Sequence, residues 1–284
     1  MSIKNLRGKL YLVSTPIGNL EDITLRALRI LKEVDLIAAE DTRHTRKLLT
    51  HYDIHKPLVS YHEHNQREKE EFLLQEIKKG KSLALVTDAG TPGISDPGVN
   101  LVKRFLQESI PVIPIPGPSA LIAALSISGL PTESFIFYGF LPPKDSARQR
   151  MFSSLKDRPE TLVFFESPQR LKACLQDALK TFGDRQGVVA REITKIFEEV
   201  YRGKLAEIIR QIEGKEIKGE ITLVIAGSPA AKEVDEAFLS QLIKEYLNNG
   251  ELSLKEMVTL LSAELKVSKR ELYKKILEVK KENQ

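Results

Sequence analysis

Cysteine and tryptophan are nearly or wholly missing: one of the former and none of the latter in 284 residues. Cys174, in the helical-looking run Leu171-Lys172-Ala173-Cys174-Leu175, has no second cysteine to pair with, so no internal disulfide can staple the fold. Long apolar runs are missing too. The greasiest stretch, Ile110 to Ile115, is broken by Pro111 and Pro114 and falls far short of the ~20 residues that span a bilayer. The opening Met-Ser-Ile-Lys-Asn-Leu-Arg has no apolar signal core, so a cytoplasmic address without a membrane partner is expected. Charge of one sign is scarce: 43 Lys and Arg against 39 Asp and Glu leave +4, too little to name a partner by itself. Two nucleotide signatures are absent. The segment Ser14-Thr15-Pro16-Ile17-Gly18-Asn19-Leu20-Glu21-Asp22 contains one glycine where a dinucleotide loop needs three, and Gly80-Lys81-Ser82 precedes a strand and has Gln75 where a phosphate loop needs glycine. Nicotinamide cofactors and nucleotide hydrolysis are disfavoured accordingly.

What remains is a composition that folds: 42% hydrophobic and 29% charged residues can fill a core and cover it. The length suits two domains with a small appendage. Strand patterns at 10–13, 35–39, 82–87 and 112–115 alternate with helical ones at 23–32, 41–51, 66–79 and 97–109, the rhythm of an open α/β sheet. After Pro116-Gly117-Pro118 come a small-residue helix at 119–126, strands at 135–140, 161–165, 188–192, 196–201 and 221–226, and helices at 147–155, 169–181 and 205–213. Short gaps between neighbouring strands predict antiparallel pairing and a mixed second sheet. From Ala231 onward only helical period is left. Ser253 is placed to cap one helix with Leu254, Val258, Leu261 and Leu265 on one face; after a tight turn at Lys266-Val267, Ser268 is placed to cap a second with Leu272, Ile276 and Val279. The expected organisation is an α/β domain over 1–117, a second over 118–230 and a helix-turn-helix module over 231–284.

Chemistry concentrates at strand ends. Thr87-Asp88-Ala89-Gly90-Thr91-Pro92-Gly93-Ile94-Ser95-Asp96-Pro97-Gly98 carries three glycines and two prolines between a strand and a helix. An ordinary turn needs one or two such residues, so this loop is expected to offer main-chain groups to a ligand at the carboxyl end of the sheet. Ala38-Ala39-Glu40-Asp41-Thr42-Arg43 ends the second strand, where two carboxylates, an arginine and hydroxyls suit the positioning of a polyanionic substrate or the acceptance of a proton, and Asp41 or Thr42 equally suits a helix cap. Phe164-Phe165-Glu166-Ser167 and Ala190-Arg191-Glu192-Ile193-Thr194-Lys195 repeat the pattern in the second half. All five histidines fall between His44 and His64, but no cysteine or dense carboxylate cluster joins them, and no metal is expected. Lys144, Arg148 and Arg150 form a basic loop, and the last helix with its entry carries seven basic residues (Lys266, Lys269, Arg270, Lys274, Lys275, Lys280, Lys281) against three acidic ones. Both suit phosphate contacts.

The segments 13–22, Ala39 to Arg43, Asp88 to Gly98, Pro116-Gly117-Pro118-Ser119-Ala120 and Phe165-Glu166-Ser167-Pro168 occur in an order that resembles the bacterial small-subunit ribosomal RNA methyltransferases of the tetrapyrrole methylase superfamily. The resemblance implies two α/β domains of the class III methyltransferase type with S-adenosylmethionine in the cleft between them, and a homodimer. It also implies 2′-O-methylation of a cytidine ribose in 16S ribosomal RNA, near the decoding centre and within the small subunit. It carries the cofactor site onto Asp88, Ala89, Gly90, Thr91 (where the family has Asp), Pro92, Ile94, Ser119, Ala120, Phe165, Glu166, Ala190 and Thr222. Proton acceptors are sought among Asp41, Glu166 and Lys195, and RNA contacts among Arg43, Lys144, Arg148, Lys269, Arg270, Lys274 and Lys275. One departure stands out: Ser14-Thr15-Pro16-Ile17-Gly18 replaces the G-x-G-P-G loop that flanks substrate in the porphyrin branch. A tetrapyrrole or protein acceptor, or a non-catalytic RNA-binding assembly factor, are the competing readings. Replacing Lys269, Arg270, Lys274 and Lys275 by Ser is expected to weaken RNA binding and flatten its salt dependence while leaving cofactor affinity unchanged; an unaltered slope of log affinity against log salt would remove that helix from the interface.

Overall fold

The computed structural model describes residues 8–229, 236–249, 252–265 and 269–282. These fall into two compact units, one within Met1–Lys156 and Glu160–Ala226, the other within Asp157–Pro159 and Gly227–Gln284.

The first unit begins with the alternating pattern β1 (Leu10–Val13), α1 (Leu25–Glu33), β2 (Leu36–Ala39), α2 (Thr42–His51), β3 (Leu58–Ser60), α3 (Gln66–Lys78), β4 (Leu83–Val86), α4 (Val99–Gln107) and β5 (Val112–Ile115). The five strands pair in the order β3-β2-β4-β1-β5, all parallel. Residues of alternate parity face opposite sides of such a sheet, and both sides are covered. Ala84 and Val86 pack with Ile30, Leu31, Leu48 and Leu49 of α1 and α2. Leu83 and Leu85 pack with Leu73, Leu74, Ile77, Leu101 and Phe105 of α3 and α4. Burial on two faces explains why β2 and β4 are apolar throughout rather than alternating.

The chain continues through α5 (Ala120–Ser126), β6 (Phe135–Phe140), α6 (Asp145–Leu155), β7 (Thr161–Glu166), α7 (Pro168–Phe182), β8 (Gln186–Arg191), β9 (Glu199–Lys204), α8 (Leu205–Gln211) and β10 (Ile221–Ile225). These strands form a second sheet in the order β6-β7-β10-β8-β9, parallel at β6–β7 and antiparallel elsewhere. One face packs on α6, α7 and α8 through Phe152, Phe164, Leu171, Leu175 and Ile208. The other meets α5 and the loops of the first sheet: Val163, Val188, Ala190 and Val224 join Ile17, Ala89, Ala124 and Leu125 in one cluster.

Three expectations change. Leu58–Ser60, not anticipated as a strand, adds the edge of the first sheet beside β2. The strand expected at 196–201 runs at Glu199–Lys204, because its register is set by β8, Gln186 opposite Lys204 and Arg191 opposite Glu199. Ile196 and Phe197, whose apolarity suggested a strand, stand 94% and 70% exposed in the preceding turn. Arg148, expected to touch RNA, is buried between α6 and α7, donating from Nε to Asp177 Oδ2 at 2.8 Å and from Nη2 to Asp145 Oδ1 at 2.7 Å. Its guanidinium is committed to tying two helices together and has no face for phosphate.

The second unit is helical: α9 (Glu236–Asn249), α10 (Leu254–Leu265) and α11 (Lys269–Glu282). Leu239, Ile243, Met257, Val258, Leu261, Leu272, Ile276 and Val279 make its core, on the faces the sequence pattern indicates. Ser253 caps α10 in a capping box, its Oγ accepting from Glu256 N–H at 3.4 Å while Glu256 Oε2 accepts from Ser253 N–H at 2.9 Å. The expected turn at Lys266-Val267 and the cap at Ser268 lie outside the described residues, as do the side chains of Lys269 and Arg270. Lys274 is exposed and Lys275 lies 4.0 Å from Glu278. Among the described residues, no helix is long and apolar enough to cross a membrane.

Removing one member of a buried ion pair strands the other. Arg148→Met is therefore expected to cost about 3 kcal/mol of unfolding free energy in urea titrations, and the double change Arg148→Met with Asp177→Leu to recover most of it. A loss confined to a few tenths would mean that the pair contributes nothing to stability.

Candidate active site

A cleft of about 380 Å³ opens between the two sheets of the first unit. Its first wall comes from the carboxyl ends of the parallel strands, where open α/β sheets hold their ligands. The loop from β4 to α4 turns over the sheet end and is pinned by a backbone pair: Thr15 N–H donates to Gly90 O at 2.9 Å and Gly90 N–H to Thr15 O at 3.1 Å. Thr15 Oγ1 adds a bond to Thr87 O at 3.0 Å, and the hydroxyls of Ser14 and Thr91 meet at 3.0 Å. The loop reverses by way of three glycines in the positive-φ region, Gly90, Gly93 and Gly98, and one serine, Ser95 at φ 63°. A non-glycine residue there carries strain, and it stands in the cleft lining.

The loop brings Asp88, Ala89, Gly90, Thr91, Ile94, Ser95 and Asp96 to the cleft, joined by Ile17, Glu40 and the Ser119-Ala120 start of α5. The opposite wall is supplied by Phe140, Phe165, Glu166, Ser167 and Pro168 from the ends of β6 and β7, Ala190 and Ile193 from β8 and its turn, and Gly219 to Thr222 at the start of β10. Eleven of the twelve residues expected at a cofactor thus meet in one cavity. The twelfth, Pro92, is buried and does not line it.

Among the described residues, the lining contains five carboxylates, Glu40, Asp88, Asp96, Glu166 and Glu220, and no lysine, arginine or histidine. Glu40 and Asp88 tie neighbouring strand ends: Asp88 Oδ1 accepts from Asp41 N–H at 3.1 Å, and Glu40 Oε2 from Asp88 N–H at 3.4 Å. Burial raises the Glu40 carboxyl above its ordinary value, against the lowering effect of that bond. Asp96 is pushed up to about 7, first by burial and then by the charges of Glu40, Asp88 and Glu220. Glu166 Oε1 accepts from Ser167 N–H at 2.6 Å and pairs with Arg170 at 2.5 Å, while its Oε2 is buried without a partner among the described residues. An orphaned buried oxygen at a cavity wall is a vacancy for a donor from a ligand.

Of the three expected proton acceptors, only Glu166 lines the cleft. Asp41 caps α2, accepting from Arg43 N–H at 2.8 Å, and the Arg43 side chain holds its carboxyl far below the usual range. Lys195 binds Glu192 Oε1 at 2.7 Å and Glu220 Oε2 at 2.8 Å; burial alone would lower its ammonium, but these two carboxylates outweigh that and raise it. Neither is free to accept a proton at neutral pH. Glu40 belongs to the strand-end pair of carboxylates that the sequence pattern singles out, whereas Asp96 and Glu220 are not singled out there as individual residues. Asp96 had one readable signal, a charged residue between Ser95 and Pro97 inside a loop otherwise built of turn formers.

Residues 9–209 match the family described as Tetrapyrrole (Corrin/Porphyrin) Methylases. The ribosomal RNA small subunit methyltransferase I of Halalkalibacterium halodurans is 47% identical over 272 residues, 94% of each chain. The chain belongs to the tetrapyrrole methylases, in the ribosomal RNA small subunit methyltransferase I family. Its relative of the same name in Thermotoga maritima is 52% identical over 220 residues, 99% of that protein but 78% of this chain, a length close to that of the first compact unit. Among solved structures, a cobalt precorrin-4 methyltransferase shares the fold at TM-score 0.57 and 16% identity, covering 77% of this chain and 94% of its own. Uroporphyrin-III C-methyl transferase from Thermus thermophilus, complexed with S-adenyl homocysteine, does so at TM-score 0.54 and 22% identity, covering 77% and 97%.

At Gly98 φ is 145°, and a Cβ would stand 3.0 Å from Leu85 Cδ2 and 3.2 Å from Gly93 N. Gly129, at φ 71°, has open space around it. Gly98→Ala is expected to cost about 3 kcal/mol in urea unfolding and Gly129→Ala about 1 kcal/mol. Equal losses would show that the packing of the cleft loop adds nothing to the backbone strain.

Proposed function

We propose that this chain transfers a methyl group from S-adenosylmethionine to the ribose 2′-hydroxyl of a cytidine in 16S ribosomal RNA, near the decoding centre and within the small subunit, as a homodimer. The observation that carries the reading is the sign of the cleft. Five carboxylates and no basic side chain, set among Ile17, Ala89, Ala120, Phe165, Ala190 and Ile193, repel phosphate groups and suit a cationic ligand with an apolar body. S-adenosylmethionine fits on both counts, and when bound it supplies a methyl carbon activated by positively charged sulfur.

The residues that would hold it are Asp88, Ala89, Gly90, Thr91 and Ile94 on the loop, Ser119 and Ala120 at the start of α5, and Phe165, Glu166, Ala190 and Thr222 on the second sheet. Pro92 would act from beneath, fixing the loop. Glu166 offers its unpartnered oxygen, and the backbone of the glycine-rich loop offers donors and acceptors at close range. The two walls fix where the cofactor and the acceptor meet, so alignment of the reacting atoms is a main part of the work of this protein.

The RNA acceptor is supported by the names of relatives at 44–52% identity and by charge outside the cleft. Helix α2 starts two residues after Glu40 and exposes Arg43, His44, Arg46, Lys47 and His51 with no acidic residue among its ten. Phosphate contacts are also assigned to exposed Lys144 and to the basic last helix, through Lys269, Arg270, Lys274 and Lys275. The exposed apolar side chains of Ile196 and Phe197 suit contact with a second copy.

The test is transfer of a labelled methyl group from S-adenosylmethionine to small subunits purified from cells lacking this protein, followed by nuclease mapping. About one label per subunit on a cytidine ribose is expected. Label on a base, or none on subunits or free ribosomal RNA despite cofactor binding, would overturn the acceptor.

A further inference from the structure

We propose that Phe140 is a positioning residue on whose ring the base of the methylated nucleotide stacks; the assignment rests on the ribosomal RNA acceptor proposed above. A ribose within folded RNA presents its hydroxyl to a cleft between two sheets only when its nucleotide leaves the neighbouring bases. Unstacked bases are received by the flat faces of aromatic side chains. A base held in one plane fixes its ribose through the glycosidic bond, which is the alignment that methyl transfer needs.

An irregularity in β6 puts that ring in the cleft. Successive residues of a strand point to opposite sides of its sheet, and Ile136 and Tyr138 follow the rule. Ile136 packs against the cluster under α6, α7 and α8, and Tyr138 stacks on Phe164 of that cluster with ring centroids 5.9 Å apart. Strict alternation would send Phe140 the same way. Instead the pairing shifts: Phe137 lies opposite Val163 and Phe140 opposite Phe165, three steps along β6 against two along β7. A bulge of this kind re-aims the side chain beside it. It passes through Gly139 at φ 69°, where a Cβ would stand 2.8 Å from Ser95 Oγ, so only glycine lets β6 lie this close to the loop between β4 and α4. Phe140 thereby joins Phe165 in the cleft lining, their ring centroids 5.5 Å apart and their planes at 60°.

Two observations assign Phe140 to the acceptor rather than to the cofactor. The first is depth: Ile17, Ala190 and Ile193 of the lining are less than a tenth exposed, whereas Phe140 is 60% exposed despite its contact with Phe165. A small enclosed ligand covers the buried side chains, while a nucleotide that belongs to a ribosomal subunit arrives from outside and meets the exposed ring first. The second is charge. Leu141-Pro142-Pro143 leads from Phe140 to exposed Lys144, within about 14 Å of chain. Asp145, the next residue, is taken by Arg148, and Lys144 has no ion pair among the described residues. A cation beside the ring attracts the phosphates that flank a stacked base and repels a sulfonium.

Three measurements on the full-length protein test the assignment: kinetics with small subunits as methyl acceptor, equilibrium binding of small subunits to protein loaded with S-adenosylhomocysteine, and calorimetry with S-adenosylhomocysteine alone. Phe140→Ala is expected to weaken subunit binding and lower kcat/KM about 10-fold, the loss of one stacked base, while S-adenosylhomocysteine affinity stays within about threefold of wild type. Phe140→Leu keeps apolar bulk without a flat face and is expected to behave as Phe140→Ala does. Phe140→Trp is expected to retain both subunit binding and kcat/KM, because stacking accepts any aromatic face. A Phe140→Leu protein as active as Phe140→Trp would reduce the contact to apolar burial. Cofactor-product affinity falling as far as kcat/KM would move Phe140 to the cofactor, and unchanged subunit binding in Phe140→Ala would leave it without a role. Each of these overturns the stacking assignment while the wild type still methylates a ribose of ribosomal RNA. No transfer from the wild type to ribosomal RNA would overturn the acceptor and the role of Phe140 with it.

Discussion

The backbone pair between Thr15 and Gly90 is the constraint on which the cleft depends. Strands β1 and β4 are neighbours in a parallel sheet, so their carboxyl ends emerge side by side, and nothing in sheet pairing dictates where the chain goes next. Two main-chain hydrogen bonds and the Thr15 hydroxyl fold the twelve residues 87–98 back over the sheet end. Ile17 and Ala89 are thereby delivered into the same apolar cluster as Val188, Ala190 and Val224. Packing of the second sheet and shape of the cleft therefore share one anchor, and the backbone turns at Gly90, Gly93, Ser95 and Gly98 are tolerated because that anchor leaves the loop no other course.

Electrostatics follows from the same geometry. Carboxylates from four segments converge on a small volume without basic partners inside it, which costs desolvation and mutual repulsion and is visible in the raised carboxyls of Glu40 and Asp96. The sign reverses within a few residues of the wall. Glu40 faces inward, Asp41 caps the helix, and Arg43 opens an outward-facing cationic surface on α2. A single strand-to-helix transition thus separates an environment suited to a cation from one suited to phosphates.

Much of the fold was legible because local pattern and tertiary outcome agree. The apolar runs at β1, β2, β4 and β10 are buried on both faces, and their bounds match expectation within a residue or two. Misreadings occur where a partner decides. Leu58–Ser60 is too short to announce itself and exists through its pairing with β2, while Ile196 and Phe197 lost their apparent strand to the register of β8 with β9. Arg148 was mistaken for a surface cation because nothing local reveals that Asp177, on the next helix, will meet it. For the same reason the surroundings of Asp96 are hard to read locally: they are assembled from the ends of β2 and β4 and the start of β10, the last more than 100 residues along the chain from the other two.

The position of β10 has a consequence for biosynthesis. Ile221–Ile225 is the last strand of the unit in sequence but the middle one of its sheet, flanked by β7 and β8, and every one of its residues is buried. On the ribosome, the parallel sheet has all its strands once Ile115 has emerged, whereas the second sheet stays split into two unjoined halves until residue 225 is free. The nascent chain thus acquires its cleft only with β10, so release of that segment, rather than completion of the parallel sheet, marks the moment at which the site can form.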